Sequence, residues 1–433
     1  MGYVSAMRIC LVSLEYPPET GWGGVGTQTW VKARGLARLG HEVHVLACSA
    51  DDRRELRTES HDGATVHRVH PPGYEFPVYG KPLWLVGYTL AVAGALHELM
   101  ERHRFDVLDF PEFGGEGFAY QLDRTRWNWV PVVVQIHGSM AMFVEHLGWP
   151  ERGSHLHEVG GFLEAFSLRN ADAVMACSGS AADIVARAYG LDRAAIDVVH
   201  CGVDTDVFHP APRGTRLADR PTVLFVGRLV GNKGAETIAE AGFVLRRKHP
   251  GIRIVFVGEG SSVPERIRER TREEGAEANV ELTGFVPLEE LPALYREAHV
   301  FCSPATYEGF GQTAIEALAC GCPAVVSNAG GGAEAVVDGE TGFVVPPGDV
   351  AATARALDAI LGDPATRARM SAAALARVAD QFAMDRYIAR VVAVYEKAIE
   401  RSRGLSDDDK ERLDWQRPRG PFVRPWPATE APS

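Results

Sequence analysis

The chain has 433 residues, of which 46% are hydrophobic and 24% charged, and its formal net charge is −12. This length predicts two domains rather than one core. The acidic charge argues against nucleic acid as a partner, and the 17 Lys/Arg against 26 Asp/Glu in residues 1–210 argue against association with an anionic membrane. The first seven residues lack the basic start of a secretory signal, so we expect a cytoplasmic protein. The apolar run 82–96 is too short to span a bilayer and predicts a buried helix.

Short β-branched runs alternate with helical patterns through the first half of the chain, with strands expected at 8–14, 42–48, 105–110, 131–137, 171–178 and 195–200. This alternation predicts an α/β domain with a parallel, doubly wound sheet. After a polar, proline-rich segment the same alternation restarts. We therefore predict an N-terminal domain over 1–210, a linker over 211–220 and a second Rossmann-like domain over 221–385. We further expect a C-terminal helix over 386–402 that returns to the first domain, and a tail over 403–433.

Ligands of open α/β sheets bind beyond the carboxyl ends of the strands. We therefore expect two facing Rossmann-like domains that share a cleft. The seven cysteines show no paired CxxC spacing, which predicts buried thiols rather than a disulfide or zinc framework. The histidines show no HExxH-type spacing. The Asp-x-Asp at 204–206 stands apart from every phosphate-binding loop, and we reject a metal site there.

The strongest motif begins at a strand that ends near Ser303 and continues through a glycine-rich turn into a helix from about Gln312. Glycines allow close approach of the backbone to a ligand, and a helix N-terminus attracts phosphate. Glu308 and Glu316 are eight residues apart, so they can reach one bound molecule at different depths. In the alternative, Glu308 caps the helix and Glu316 is solvated.

A second motif, VGRLVGNKG, places Arg228 and Lys233 in one loop just after a strand. Guanidinium and ammonium groups in this position suit a diphosphate and can stabilise it as a leaving group. The alternative is that both residues form ordinary surface salt bridges.

The first half contains GWGGVG at 21–26, which is weak as a dinucleotide fingerprint because six residues separate it from the preceding strand. We interpret Gly23 and Gly24 as flexible backbone facing the cleft. His137 ends the strand PVVVQIHG and could hydrogen-bond a sugar hydroxyl or a backbone carbonyl, although a core histidine is the alternative.

Three acids lie near the end of the strand FDVLDF and in the PEFGGEG that follows it, namely Asp109, Glu112 and Glu116. They predict a site for a hydrophilic ligand, for which an amino-sugar or aminocyclitol, as the acceptor of a group transfer, is one candidate. The alternative is that they are ordinary loop acids.

The order of these motifs resembles that of glycosyltransferase family 4, whose members have the GT-B fold. The matching pieces include GWGGVG followed by LARLGHEVHVL, then QIHG, CGVDTDVF, VGRLVGNKG, VELTGFVPLEELPALYREA and YEGFGQTAIEALACGCPAVVS. They extend from residue 8 to about 395. The resemblance implies a retaining, metal-independent transferase that uses a nucleotide-sugar and a small hydrophilic acceptor, with UDP favoured because it is frequent in the family.

The resemblance also implies individual roles. Arg228 and Lys233 would hold the donor diphosphate, and Gly24 would approach it. Glu316 would accept hydrogen bonds from the ribose, and His137 would lie beside the reacting sugar. The other expected donor contacts are Gly23, Gly258, Gly260, Phe285, Val286, Glu308, Gly309, Phe310, Gly311, Gln312 and Thr313.

Two other functions are compatible with the same fold. One is a nucleotide-sugar epimerase or a phosphorylase, although no signal for a phosphorylase cofactor lysine is present. The other is a protein that binds a nucleotide-sugar without turnover. The combined presence of Arg228, Lys233, Glu308 and Glu316 favours catalysis over simple binding.

Overall fold

A computed structural model describes residues 6–21, 23–51, 55–70, 77–78, 81–82, 84–212 and 218–410. The chain divides into two compact units, one ending at Val199 and resuming at Tyr387, the other comprising His200–Arg386. The division lies before the linker predicted at 211–220. Residues 213–217 of that linker lie outside the described residues, as does the predicted tail beyond Lys410.

Hydrogen bonds explain why the second unit begins at His200. His200 Nε2 lies 2.8 Å from a carboxylate oxygen of Glu334. Arg296 donates from Nε to the carbonyl of His209 over 2.8 Å. Both ends of segment 200–209 are therefore bound to the second unit.

The helices and strands of residues 6–199 are β1 (Arg8–Ser13), α1 (Gly24–Arg38), β2 (Glu42–Cys48), β3 (Arg57–His61), β4 (Ala64–Val69), β5 (Pro77–Val78), β6 (Lys81–Pro82), α2 (Trp84–Arg102), β7 (Val107–Pro111), α3 (Phe118–Asp123), β8 (Val132–Ile136), α4 (Met140–Leu147), α5 (His155–Arg169), β9 (Ala173–Ala176), α6 (Gly179–Tyr189) and β10 (Ile196–Val198). The main sheet has the order β10-β9-β8-β7-β1-β2-β4-β3. The winding reverses between β1 and β7. The apolar run 82–96 forms most of α2, as predicted.

One strand of this sheet corrects the expectation of a purely parallel arrangement. β3 pairs antiparallel with β4, across a turn in which Asp62 and Gly63 have positive φ angles of 49° and 88°. The sequence of β3, RTESH, is polar and largely exposed. An edge strand of this kind has no apolar run, so the hydrophobic pattern of the sequence does not predict it.

The helices and strands of residues 200–410 are β11 (Thr222–Val226), α7 (Ala235–Leu245), β12 (Arg253–Val257), α8 (Val263–Glu273), β13 (Val280–Gly284), α9 (Leu291–Glu297), β14 (Val300–Ser303), α10 (Gln312–Ala319), β15 (Ala324–Ser327), α11 (Gly332–Ala335), β16 (Gly342–Val345), α12 (Val350–Leu361), α13 (Pro364–Arg377), α14 (Met384–Arg403) and α15 (Asp407–Lys410). The sheet order is β13-β12-β11-β14-β15-β16, and all its pairs are parallel. Its central strands are apolar because helices cover both faces. The winding reverses between β11 and β14.

Helix α14 contributes residues to both units, and its part from Tyr387 onward packs in the first unit. There the Tyr395 hydroxyl donates to Asp109, and Lys397 Nζ lies 2.6 Å from Asp197. No helix in the described part of the chain combines the length and apolar character needed to cross a membrane. All seven cysteines are buried and none forms a disulfide within the described residues, as their spacing predicted.

Candidate active site

Two turns meet at the point where the winding of the second sheet reverses. The turn after β11 packs against the turn after β14, because the amide of Thr306 donates to the carbonyl of Asn232 over 2.8 Å. Gly234 has a φ of 76°, and a Cβ at this position would lie 2.5 Å from the carbonyl oxygen of Pro304. Glycine therefore allows the close contact. In open α/β sheets such a reversal point is where ligands bind.

The packed turns bring Lys233 and Glu308 together. Lys233 Nζ lies 2.6 Å from Glu308 Oε2, and the two side chains are 21% and 26% exposed. Glu308 does not cap α10, since the N-cap is Gly311 and no side chain caps that end. The pair is thus accessible from solvent, and its ammonium group can be shared with an incoming anion.

Arg228 lies on the same edge of the sheet. Its side chain is exposed, and its guanidinium forms no ion pair with another described residue. The segment after β12 packs directly against the backbone on either side of Arg228. A Cβ on Gly258 would lie 2.0 Å from Gly227 O, and one on Gly260 would lie 1.9 Å from Leu229 O. These two glycines therefore support the turn that presents Arg228 rather than simply bordering a ligand.

The turn after β13 continues this edge. The Gly258 amide donates to the Gly284 carbonyl over 2.8 Å. Phe285 follows with 58% of its surface exposed, and Val286 is half-buried. An exposed aromatic ring beside two backbone turns provides a surface on which a nucleobase can stack.

Glu316 is a buried acid in the middle of α10. It is 4% exposed, and the Tyr295 hydroxyl donates to its Oε2 over 3.0 Å. The alternative of a solvated helix residue is therefore wrong. Burial raises the pKa of Glu316 to about 7, although hydrogen bonds from Tyr295 and Gln312 oppose the shift.

The pKa of Glu316 leads to a testable pH dependence. Because the folded-state pKa is raised from 4.5 to about 7, folding favours the protonated acid. This contribution to stability is complete below the unfolded pKa and is lost as pH rises through about 7. We expect the free energy of unfolding of wild type, relative to Glu316→Gln, to be about 2–3 kcal/mol larger at pH 5 than at pH 8. Chemical denaturation of both proteins at each pH measures this difference in the free energy of unfolding. A difference that does not vary with pH would contradict the raised pKa of Glu316.

The start of α10 offers backbone rather than aromatic contacts. Gly311 has a φ of 93° and leads into Gln312, whose side-chain amide donates to the carbonyl of Gly202 over 3.2 Å. The Phe310 ring is buried against His200, with ring centroids 5.2 Å apart. Phe310 can thus contribute only its backbone to a ligand. Gly309 and Thr313 are half-buried on either side of this segment.

In the first unit, His137 follows β8 in a loop held by two buried acids. Glu112 accepts from the amides of His137 and Gly138 over 2.9 and 2.5 Å. Glu164 accepts from the amide of Met140 over 3.0 Å. The His137 ring forms no hydrogen bond to another described residue. Burial and the Lys32 ammonium lower the pKa of His137 to about 3, so its imidazole is neutral and able to hydrogen-bond a ligand.

These contacts change the interpretation of Glu112. It was expected to face an acceptor but is 0% exposed, and both its oxygens are engaged by backbone amides. Burial raises its pKa to about 7, against the effect of those amides. Glu112 is therefore a positioning residue for the His137 loop. Glu164, which the sequence did not single out, acts in the same way.

The other two acids expected to contact an acceptor are also buried. Asp109 forms an ion pair with Lys32 at 2.7 Å, and both side chains are at most 5% exposed. Glu116 accepts from the amide of Leu14 over 3.2 Å. Burial raises the pKa of Glu116 to about 8. Neither side chain is available to a molecule arriving from solvent, so the predicted acidic acceptor surface is not supported.

The glycines of GWGGVG lie at the start of α1. Gly23 is the N-cap, and no side chain of the described residues caps the helix. A Cβ on Gly23 would lie 2.3 Å from Glu15 Oε2, whereas one on Gly24 would meet no atom of the described residues within 4 Å. Gly24 thus leaves open space at a helix N-terminus, where anions are favoured.

The Asp-x-Asp segment has a structural role. Asp204 is 1% exposed, and its Oδ1 accepts from the amide of Asp206 over 2.9 Å. This bond stabilises the turn that follows β10.

Comparisons with known proteins agree with this arrangement. The family profile "Glycosyl transferases group 1" matches residues 212–377, and "Glycosyltransferase Family 4" matches residues 22–207. The glycogen synthase of Mycobacterium tuberculosis (strain ATCC 25618 / H37Rv) is 32% identical over 389 residues, covering 87% of this chain and 91% of that protein. The GDP-mannose-dependent alpha-(1-6)-phosphatidylinositol monomannoside mannosyltransferase of Mycolicibacterium smegmatis is 36% identical over 382 residues, covering 84% and 91%.

A solved structure supports the fold. Sucrose-phosphate synthase from Thermosynechococcus elongatus superposes with a TM-score of 0.75 at 24% identity, covering 91% of this chain and 99% of that one. The family and the two-unit α/β architecture indicated by the motifs are thus confirmed. The chain belongs to glycosyltransferase family 4 and is a glycosyltransferase with the GT-B fold.

Proposed function

We propose that this glycosyltransferase moves a hexose-type sugar from a nucleotide-sugar to a hydroxyl of a hydrophilic acceptor, with retention of anomeric configuration and without an essential metal. The observation that carries the proposal is the accessible Lys233–Glu308 pair at the reversal point of the second sheet. Arg228 on the same edge supplies a second cation. Together these cations provide the positive charge that a departing diphosphate requires.

The reaction follows from these groups. The bond between the anomeric carbon and the diphosphate oxygen breaks as the acceptor oxygen attacks from the same face. The acceptor proton passes to the leaving phosphate oxygen, so no protein base is needed. Lys233 and Arg228 stabilise the charge that develops on the diphosphate. Glu316 is assigned to the ribose by the resemblance alone, because its side chain is as buried as those of Asp109 and Glu116. The neutral His137 positions the transferred sugar.

A UDP-sugar is the favoured donor because UDP is frequent in the family. The acceptor is proposed as hydrophilic, but the buried state of Asp109, Glu112 and Glu116 removes the argument for an amine. One relative described above is named a glycogen synthase and the other a phosphatidylinositol monomannoside mannosyltransferase, so a panel of sugars and cyclitols is the suitable set of acceptors to test.

A thermal-shift screen of UDP-, GDP-, ADP- and dTDP-sugars tests the donor. A donor at 100 times its Kd stabilises the folded protein by about 2.7 kcal/mol, so one nucleotide should raise the Tm clearly above the others. Failure of every nucleotide-sugar to raise the Tm would contradict the proposal. If a nucleotide-sugar other than a UDP-sugar gives the largest rise in Tm, only the proposed identity of the base would change.

Product analysis tests the reaction. Incubation of the preferred donor with a panel of sugars and cyclitols, followed by NMR, should show a product with the anomeric configuration of the donor. The rate should be unchanged by EDTA. An epimerised donor formed without acceptor would instead indicate an epimerase, and binding without any product would indicate a protein that only holds the nucleotide-sugar.

A further inference from the structure

Three metal-binding side chains meet at the amino edge of the first sheet, where β2 begins and α2 ends. A carboxylate oxygen of Glu42 and ring nitrogens of His44 and His103 all lie within 4.8 Å of one another. His44 Nε2 is 3.0 Å from Glu42 Oε1. We propose that Glu42, His44 and His103 form a Zn²⁺ site whose fourth ligand is water.

The geometry around His44 supports this assignment. Its other ring nitrogen, Nδ1, lies 2.9 Å from His67 Nε2, and His67 Nδ1 lies 3.0 Å from the Thr58 hydroxyl. A metal bound at His44 Nε2 leaves the proton on Nδ1, from which it is donated to His67. His67 then donates from Nδ1 to Thr58. Such outer hydrogen bonds fix the tautomer and orientation of a metal-binding histidine.

The carboxylate is positioned in a similar way. Arg8 holds Glu42 Oε2 at 2.7 Å, which directs Oε1 toward His44. Zn²⁺ bonds of 2.0–2.1 Å require ligand atoms about 3.3 Å apart in a tetrahedron, close to the observed separation of Glu42 and His44. His103 is the ligand that must move closer to the other two. It is half-buried just after α2, and its side chain can rotate toward Glu42 and His44.

Access and chemistry favour zinc over harder ions. The Glu42 side chain is 47% exposed, so an ion can enter from solvent. Two imidazoles and one carboxylate suit zinc, whereas calcium and magnesium prefer oxygen ligands alone. The site lies at the opposite edge of the first sheet from His137, which follows the carboxyl end of β8. It would therefore stabilise β2, β4 and α2 without serving the transfer reaction.

Zinc titration of the untagged, metal-stripped full chain tests the site. Competition with a chromophoric chelator should show one Zn²⁺ per chain, and Co²⁺ should give the intense visible bands of tetrahedral coordination. His103→Gln and Glu42→Gln should each weaken zinc binding by more than about 10-fold. Loss of only an outer hydrogen bond to a metal ligand already lowers affinity by about 10- to 100-fold. His155→Gln, in which an exposed histidine at the start of α5 is changed, should bind as wild type.

His103→Cys restores a zinc ligand and should recover most of the affinity lost in His103→Gln. Circular dichroism of each variant shows whether it is folded. The proposal is overturned if wild type binds no zinc at micromolar concentrations, or if His103→Gln binds it as tightly as His155→Gln.

Discussion

Replacement of Lys233 by alanine is expected to lower kcat by about 10²–10³-fold, the usual effect of removing one group that stabilises developing charge. The Lys233 ammonium lies 2.6 Å from Glu308 at the reversal point of the second sheet and is open to solvent. A partly exposed ion pair contributes only about 0–1 kcal/mol to stability. The variant should therefore fold normally, and steady-state kinetics together with chemical denaturation separate the two effects.

Lys248→Ala is the matched control for this prediction. Lys248 Nζ lies 2.7 Å from Asp358 Oδ2 on the same unit, and its side chain is 65% exposed. The same charge is removed from an equally close ion pair away from the candidate site. Wild-type kcat is expected for Lys248→Ala. Near-normal turnover in Lys233→Ala, or equal losses in both variants, would exclude the diphosphate role of Lys233.

Replacement of Glu112 by alanine is expected to lower the free energy of unfolding by about 2–6 kcal/mol, because two partly buried backbone amides lose their acceptor at about 1–3 kcal/mol each. The amides belong to His137 and Gly138, so the loop that carries His137 also loses its support. In protein that remains folded, kcat should fall about 10- to 100-fold, as for a small misplacement of a reacting group. The Kd of the nucleotide diphosphate should change little, because its proposed contacts Arg228, Lys233 and Gly24 all lie outside the loop that Glu112 supports.

Glu116→Gln provides the comparison for Glu112→Ala. Glu116 is also a buried acid of the same segment, but only its Oε1 is engaged, by the amide of Leu14. Glutamine keeps that acceptor, so stability and kcat should change little. Glu112→Gln retains one of the two acceptors and should fall between the variants. A loss of stability in Glu112→Ala with unchanged kcat in the folded fraction would show that the acid acts only in folding.

The sequence predicted most of the second unit and the core of its site. Its strands are continuous apolar runs, and glycine-rich turns follow them directly. Lys233, Glu308 and Glu316 occupy fixed positions within these local motifs, and the reversal of winding brings the first two together. Local sequence also indicated that His137 ends a strand.

Other features depended on contacts between distant segments. Periodicity shows which residues of an element are buried, but not which partner lies opposite them. Glu112 was therefore taken for an acceptor contact, although it binds the amides of residues 137 and 138. For the same reason, local sequence patterns did not indicate that His103 lies beside Glu42 and His44. The sequence alone determined most of the α/β elements and the positions of the motifs proposed to bind phosphate. Only the tertiary structure decided where the acids and histidines of the first unit point, because their partners come from elements far away in the chain.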